Sequence, residues 1–426
     1  MACPGQPSSA RAIRPPADAA VPALQNSTKA ILALTFAYIL SQFFRSFLAV
    51  IAPELMTDLD LTPAQFGWLS SVFFLAFGAA QIPVGIAFDR YGVGRPTTIL
   101  LGVGVVGAAL FAVTPNAALA MLAQVALGFA CAPIFMALMY YSANHLPEPR
   151  FVQTVTLTSA IGTAGAFMAA APLGWATYLF GWRPALAMAA VMTLLAMLGV
   201  WRFVRDGRIG DGPQESAGET ARACLAVLRL PVLWTLIPAC LALAAGITFR
   251  NAWGGPYLSD VFGLDAVARG EAMTVASLCG LLSAFAVPLL VRRWNTKPIA
   301  TVWLAMTFLG AAALALLPAA DVLVSVGLIS LLFTIGNIHP LLMTQGKGVL
   351  PASARGRGFG VLNSFVFLGY AIASAGFGWI AETATGAGYA PAGVFAWIFA
   401  AAAIALLAAL VPYLWSPRPP RPQRPR

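Results

Sequence analysis

Long apolar runs, separated by short polar segments, make up most of this chain. A helix that crosses a bilayer needs about 20 mostly apolar residues, and the sequence contains twelve runs of suitable length. We number these predicted spans 1 to 12 in chain order, with approximate limits of 29–52, 66–88, 97–114, 118–142, 151–178, 184–204, 231–257, 270–291, 298–317, 321–345, 358–382 and 390–415. The pattern predicts an all-α membrane protein with twelve transmembrane helices.

The polar segments divide the chain into five predicted parts. The longest break between apolar runs is 205–230, which is rich in charged residues and is predicted to be a cytoplasmic linker. It separates an N-terminal six-helix half, 29–204, from a C-terminal six-helix half, 231–415. Residues 1–28 lack the apolar stretch of a cleavable signal peptide and are predicted to be a disordered cytoplasmic N-terminus. The Pro- and Arg-rich residues 416–426 are predicted to form a solvated cytoplasmic tail.

The two halves repeat the same spacing of particular residues. Pro133 precedes Arg150 by 17 residues, and Pro340 precedes Arg357 by 17 residues. Internal repeats indicate repeated structural units. We therefore predict two parallel six-helix repeats, an architecture that places a substrate site near the membrane midplane between the halves.

The charge distribution supports a membrane topology rather than nucleic-acid binding. Charged residues are only 9% of the chain, whereas soluble domains contain about 25%. The net charge is +10, but 21 of the 25 Lys and Arg residues fall in segments that are cytoplasmic if the N-terminus is cytoplasmic. Arg183 and Arg269 are in outer loops, and Arg45 and Arg250 are in spans. The positive-inside rule then predicts a multi-pass, bacterial-type inner-membrane protein with both termini in the cytoplasm, partnered by lipid and not by nucleic acid.

The segment after span 2 carries a recognisable motif. Gly85, Asp89, Arg90, Gly92 and Arg95 resemble the signature Gly-x3-Asp-Arg-x-Gly-x2-Arg of the major facilitator superfamily. The resemblance implies that fold, secondary transport by alternating access, and a conformational-gating role for this loop. Gly85 is expected to allow close helix packing and Gly92 a tight turn.

Two positions depart from the patterns of particular branches of that superfamily. Many proton-coupled members carry an arginine in span 4 where this chain has Gln124 before Gly128. Drug antiporters often carry a Gly-Pro motif in span 5, which the Gly162 and Pro172 surroundings do not match. Both departures weaken the interpretation as a drug-efflux protein.

Arg45 in span 1 and Arg250 in span 7 are the principal site candidates. Charge in the bilayer core is costly, so ionisable residues there are functional candidates. None of the 15 acidic residues falls clearly in the middle of a span. Two guanidinium groups without an acid suit a carboxylate, phosphate or sulfonate, and the arrangement resembles organophosphate and organic-anion transporters of the superfamily. The alternative is that both arginines are structural and reach the interface or backbone carbonyls.

Four further residues complete the candidate site. Gln42, Asn251 and Trp253 neighbour the two arginines and are predicted to contact the substrate. His339, in span 10, is the candidate for proton coupling because histidine titrates near neutral pH. Its alternative role is that of a packing residue beside the kink at Pro340.

The leading functional hypothesis is a monomeric secondary transporter for a small organic anion, coupled to protons or to a counter-anion. The first alternative is a carrier of a neutral or aromatic solute, for vitamin uptake or drug efflux. The second is a membrane sensor that keeps the carrier fold without transport. The sequence shows no nucleophile–base pair, metal-ligand cluster or phosphate-binding loop, so neither enzyme activity nor a cofactor is predicted.

Overall fold

The computed structural model describes residues 17–205, 226, 228–350 and 355–417, and over these ranges it consists of helices joined by short turns. Within them, twelve helical units are long and apolar enough to cross a membrane. This confirms the predicted all-α, twelve-span architecture. The predicted disorder of 1–16, most of the predicted linker and most of the predicted tail lie outside the described residues.

Spans 1 to 6 belong to the N-terminal half. Their helices are Ala17–Ser46 and Leu48–Asp58 for span 1, Pro63–Tyr91 for span 2, Gly94–Val113 for span 3, Ala117–His145 for span 4, Glu148–Gly162, Ala164–Met168 and Ala171–Phe180 for span 5, and Trp182–Phe203 for span 6.

Spans 7 to 12 belong to the C-terminal half. Their helices are Leu233–Thr248, the π-helix Phe249–Trp253 and Gly254–Phe262 for span 7, Ala266–Arg293 for span 8, Thr296–Leu316 for span 9, Val322–Phe333, the 3₁₀ helix Thr334–Ile338 and His339–Val349 for span 10, Arg355–Gly386 for span 11, and Pro391–Leu414 for span 12.

The first helix begins earlier than the sequence predicts. It starts at Ala17, so the last twelve residues of the segment 1–28, for which the sequence predicts disorder, are helical instead. Alanine has the highest helix propensity, and the helix begins with the sequence Ala17-Asp18-Ala19-Ala20. Local propensity therefore extends the helix beyond the apolar run.

Four spans are interrupted near the middle of the bundle, and proline accounts for three of the breaks. A proline lacks the N–H that would bond the carbonyl four residues earlier. The affected carbonyl belongs to Met168 for Pro172, to Ala252 for Pro256 and to Gly336 for Pro340. These positions coincide with the end of Ala164–Met168, with the π-helix and with the 3₁₀ helix. Span 1 breaks at Phe47 and span 5 breaks a second time at Thr163, and no proline is suitably placed for either break.

The two halves contact each other closely at one end of the bundle. A Cβ added to Gly67 of span 2 would lie 2.5 Å from the carbonyl oxygen of Ser374 in span 11. A Cβ on Gly255 of span 7 would overlap the carbonyl oxygen of Ala49 in span 1. Small residues let membrane helices approach to backbone contact. We refer to this end, which carries the Pro63 end of span 2, as the closed end and to the other as the open end.

Candidate functional site

A cavity of about 600 Å³ lies between the two halves, beneath the contacts of the closed end. Its lining comes from spans 1, 2, 4, 7, 10 and 11, so both halves contribute. The lining residues are Tyr38, Arg45, Phe74, Phe77, Gln81, Ala132, Phe135, Met136, Met139, Tyr140, Ile247, Asn251, Gly336, His339, Asn363, Val366, Phe367 and Tyr370.

The cavity continues toward the open end. An adjoining space, also of about 600 Å³, shares Gln81, Met136 and Asn363 with it and is bounded further by span 11. Spans 2 and 11 are in contact at Phe77 and Phe367, whose ring centroids are 4.6 Å apart. The described residues therefore form a cavity closed at one end and accessible from the other.

Arg45 reaches the cavity from the last turn of the first helix of span 1, just before the break at Phe47. Its guanidinium carbon lies 4.4 Å from the centroid of the Phe77 ring, a cation–π geometry. Its Nε atom is buried and has no hydrogen-bond partner. A buried donor without a partner is costly, so this guanidinium has unused capacity to bind an acceptor.

Arg250 occupies the matching place in the other half, within the π-helix of span 7. Its Nε atom is also buried without a hydrogen-bond partner. It lies close enough to Arg45 and Tyr38 to interact electrostatically with both. The two predicted arginines thus lie close together, but Arg250 is not among the lining residues of the cavity, whereas Arg45 is.

A hydrogen bond joins the residues that follow the two arginines. The hydroxyl of Ser46 donates to Oδ1 of Asn251 over 3.1 Å, and both residues are buried. Asn251 also lines the cavity. Spans 1 and 7 therefore face each other at corresponding positions, with the arginines beside this bond.

No carboxylate offsets the two arginines among the described lining residues of the cavity. Besides Arg250, the Tyr38 hydroxyl and the Cys131 thiol interact electrostatically with Arg45, and neither is ionised at neutral pH in its ordinary state. The ion pairs in the described ranges, Arg183–Asp58 and Arg269–Glu54, involve residues at the closed end. The positive charge of Arg45 is therefore not offset by a carboxylate among the described lining residues.

Two other predicted residues have different surroundings. Gln42 donates to the Tyr38 hydroxyl over 3.4 Å and therefore contacts a residue that lines the cavity. Trp253 is 2% exposed, and its indole N–H donates to the Ser374 hydroxyl over 3.1 Å. Its ring packs edge-on against Phe66, which belongs to the opposite half. Trp253 does not line the cavity, and its contacts support a packing role at the closed end in place of substrate contact.

His339 lines the cavity at the first position of the last helix of span 10. Its Nε2 atom is buried and has no hydrogen-bond partner. Nearby, the Asn337 amide donates to the Gly280 carbonyl over 2.9 Å and to the Ser283 hydroxyl over 2.7 Å. These bonds fix the 3₁₀ segment to span 8, while the histidine faces the cavity.

The aromatic lining of the cavity was not predicted from the sequence. Phe74 and Phe77 of span 2, Phe135 of span 4, and Phe367 and Tyr370 of span 11 all line it. An aromatic residue within an apolar run is equally typical of lipid contact and of helix packing, so no single-sequence signal separates these from the others.

The predicted gating loop connects spans 2 and 3 at the open end. Gly92 has a φ of 74°, the left-handed region that the predicted tight turn requires. Asp89 accepts a hydrogen bond from the Tyr140 hydroxyl over 3.2 Å, which links spans 2 and 4 within one half. A Cβ on Gly85 would meet nothing within 4 Å. The prediction that Gly85 allows close packing is wrong, because no neighbour approaches it.

Comparison with protein families gives an independent result. The model of the Major Facilitator Superfamily matches residues 34–374, most of the described bundle.

Two kinds of curated relative resemble the chain. The "Membrane sensor protein UhpC" of Escherichia coli is 26% identical over 391 residues, covering 80% of this chain and 83% of that protein. The same-named protein of Salmonella typhimurium is 26% identical over 300 residues, and the chain spans 64% of its length. The "Hexuronate transporter" of Bacillus subtilis is 22% identical over 262 residues, covering 60% of this chain and 61% of that protein.

The fold also resembles solved structures. The nucleoside transporter NupG superposes with a TM-score of 0.75 at 14% identity, covering 92% of this chain and 99% of that chain. At this identity the likeness concerns the fold alone.

Proposed function

The chain belongs to the major facilitator superfamily, and on that premise we propose that it is a secondary active transporter which moves a small organic anion by alternating access. One observation carries the proposal: Arg45 of one half lines a cavity whose described lining contains no carboxylate, and Arg250 of the other half lies close enough to interact with it electrostatically. Relatives named as a hexuronate transporter and a sugar-acid transporter, "Probable L-galactonate transporter", support an anionic substrate.

The proposed mechanism follows from the charge of the cavity. Arg45 and Arg250 repel each other in the empty state. A bound carboxylate or phosphate accepts hydrogen bonds from both guanidinium groups and removes this repulsion. Spans 1 and 7 belong to different halves, so an anion held by both favours approach of the halves around it. Opening the closed end would then release the anion on the other side.

The coupling partner is proposed to be either a proton or a counter-anion. His339 faces the cavity with a free Nε2 atom and is the proposed proton carrier. If His339→Gln abolishes proton-driven accumulation but leaves anion exchange intact, proton coupling through this residue is supported. If accumulation is unchanged in this variant, His339 is a packing residue and exchange for an anion is the better proposal.

Ligand stabilisation and flux together test the substrate proposal. A ligand that binds the folded state raises its melting temperature. The purified protein would be screened with glucuronate, glucose 6-phosphate, phenylacetate and neutral counterparts, beside Arg45→Gln and Arg250→Gln. Arg183→Gln is the matched control, because Arg183 lies away from the cavity and donates to the Thr114 carbonyl.

We expect an acid, but not its neutral counterpart, to raise the melting temperature of the wild type and of the Arg183→Gln protein. The same acid should not raise the melting temperature of Arg45→Gln or Arg250→Gln. A response to neutral compounds, or an unchanged response in both cavity variants, contradicts anion binding and favours a carrier of neutral solutes.

A sensor without transport is the second candidate, because two of the relatives are named membrane sensor proteins. Both candidates require the same binding site, so binding cannot separate them. Uptake of a radiolabelled ligand into sealed proteoliposomes does: uptake that the Arg45→Gln variant lacks supports transport, whereas binding without uptake supports a sensor.

A further inference from the structure

The residues that line the cavity indicate the chemistry of the uncharged part of the substrate, which the arginines alone do not. Two ring pairs bridge the halves above the cavity. The ring centroids of Phe74 and Tyr370 are 3.6 Å apart, and those of Phe77 and Phe367 are 4.6 Å apart. A ligand beneath them meets aromatic surface from both halves.

A second aromatic surface forms the side of the cavity. The rings of Tyr38 and Phe135 have centroids 5.1 Å apart and belong to spans 1 and 4. The Arg45 guanidinium stacks on the ring of Phe77, so it lies beside the aromatic residues of the lining. When the acidic group of an anion binds Arg45, the neighbouring atoms of that anion therefore lie beside aromatic rings.

Some of the hydrogen-bonding groups of the lining are engaged within the protein. Asn251 accepts from Ser46 and Tyr140 donates to Asp89. The Gln81 amide donates to the Ala132 carbonyl over 3.5 Å. His339 on span 10 and Asn363 and the Tyr370 hydroxyl on span 11 remain, so few polar groups face a ligand beside the arginine.

A polyhydroxylated substrate would fit these walls poorly. Each hydroxyl that leaves water without a partner costs about 1–3 kcal/mol, and a sugar acid carries several. An aromatic ring, in contrast, gains from offset or edge contacts with other rings, and apolar walls with few polar groups are typical of sites for such ligands.

We infer that the substrate is an organic anion with an aromatic body, such as an arylalkyl carboxylate, bound with its acidic group at Arg45 and Arg250 and its ring beneath the Phe74–Tyr370 and Phe77–Phe367 pairs. This inference rests on the proposed anion site and narrows its substrate class. It departs from the relatives, whose names include a hexuronate transporter.

The test compares ligands that differ in one property each. Phenylacetate and 3-phenylpropionate are the aromatic acids, glucuronate is the hydroxylated acid, and phenylacetamide is the neutral aromatic counterpart. Binding would be measured by calorimetry on the intact protein in lipid nanodiscs. We expect phenylacetate or 3-phenylpropionate to bind at least about tenfold more tightly than glucuronate, which corresponds to about 1.4 kcal/mol, and phenylacetamide not to bind detectably.

Ring variants locate the effect. Phe367→Leu and Phe74→Leu keep an apolar side chain but remove the ring, and each should weaken binding of the aromatic acid about two- to twelvefold. Phe285→Leu is the matched control, because Phe285 of span 8 is 65% exposed on the surface of the bundle and should bind like the wild type.

The outcomes separate this inference from the proposed function. Arginine-dependent binding of glucuronate as tight as that of the aromatic acids, or tighter, overturns the aromatic substrate and leaves the anion site standing. Equal affinities for phenylacetate and phenylacetamide overturn both the aromatic-anion inference and the proposed anion site. Loss of binding in Phe285→Leu equal to that in Phe367→Leu also overturns the inference, because the effect would not come from the cavity.

Discussion

Arg45 and Arg250 illustrate how much a single residue can indicate from its sequence context alone. A charge within an apolar run is expensive, so its presence already indicates a role. Arg45 lines the cavity and Arg250 lies near Arg45, and their binding of a substrate stays a prediction. The aromatic residues carry no such signal. Phe77 is 3% exposed and Phe285 65% exposed, yet both are phenylalanines in apolar runs. Which face of a helix meets the cavity depends on packing between spans, which a single sequence does not specify.

Replacing arginine by lysine at position 45 tests whether geometry or charge holds the anion. Lysine keeps the positive charge but loses the planar, bidentate fork. Loss of one hydrogen bond to a charged group costs about 1.5–3 kcal/mol, so we expect Arg45→Lys to weaken anion binding about 10- to 150-fold. Calorimetric titration with the best ligand measures this change. Affinity equal to that of the wild type would show that Arg45 acts only as a point charge.

At the scale of the helices, the limits were predictable and most of the interruptions were not. Predicted span 12, at 390–415, compares with Pro391–Leu414. Hydropathy sums transfer free energy over a whole segment, so it finds membrane spans but ignores individual backbone hydrogen bonds. Three of the breaks arise from the loss of such bonds at prolines. The kink at Pro340 was predicted from the sequence, whereas the breaks at Pro172 and Pro256 were not. π-helical segments are frequent at functional sites, and the one in span 7 contains Arg250.

Replacing Gly255 tests whether the close contact between spans 1 and 7 stabilises the closed end. Its missing Cβ is what lets the Ala49 carbonyl approach, so Gly255→Ala should force the two spans apart and destabilise the closed end. We expect that a cysteine-reactive probe added from the closed side labels a cysteine introduced into the cavity lining faster in this variant than in the parent protein. Gly376→Ala in span 11 is the control, since a Cβ there meets nothing within 4 Å; a similar effect in both variants would contradict the explanation.

For the molecule as a whole, Arg269 is the residue whose importance the sequence concealed. The apolar pattern assigns it to an ordinary outer loop, yet it is 2% exposed. It pairs with Glu54 and donates to the Val50 carbonyl over 3.2 Å, both in span 1, and to the Leu264 carbonyl over 3.0 Å. A residue of the C-terminal half thus binds the second helix of span 1 and stabilises the closed end.

Removing the charge of Glu54 should therefore shift the conformational equilibrium. Breaking a buried ion pair costs about 3–5 kcal/mol, but the Glu54 side chain is 34% exposed, so about 1–2 kcal/mol is expected after screening. Spin-label distances across the closed end should report a larger open population in Glu54→Gln. Asp58→Asn is the control, because Asp58 binds Trp182 and Arg183 of its own half. Equal shifts in the two variants would exclude a specific lock between halves.

On the proposed alternating-access mechanism, the unopposed arginines also make the protein responsive to voltage. An empty cavity with two positive charges must carry them through part of the membrane field whenever the protein changes its facing direction. Each elementary charge that crosses 100 mV exchanges about 2.3 kcal/mol with the field. With the open end toward the cytoplasm, as the predicted topology has it, the interior-negative potential of a living cell holds the empty carrier facing inward. A bound anion lowers the net charge that crosses the field, and so lowers the electrical cost of changing the facing direction. The membrane potential itself would therefore suppress this change in the absence of substrate.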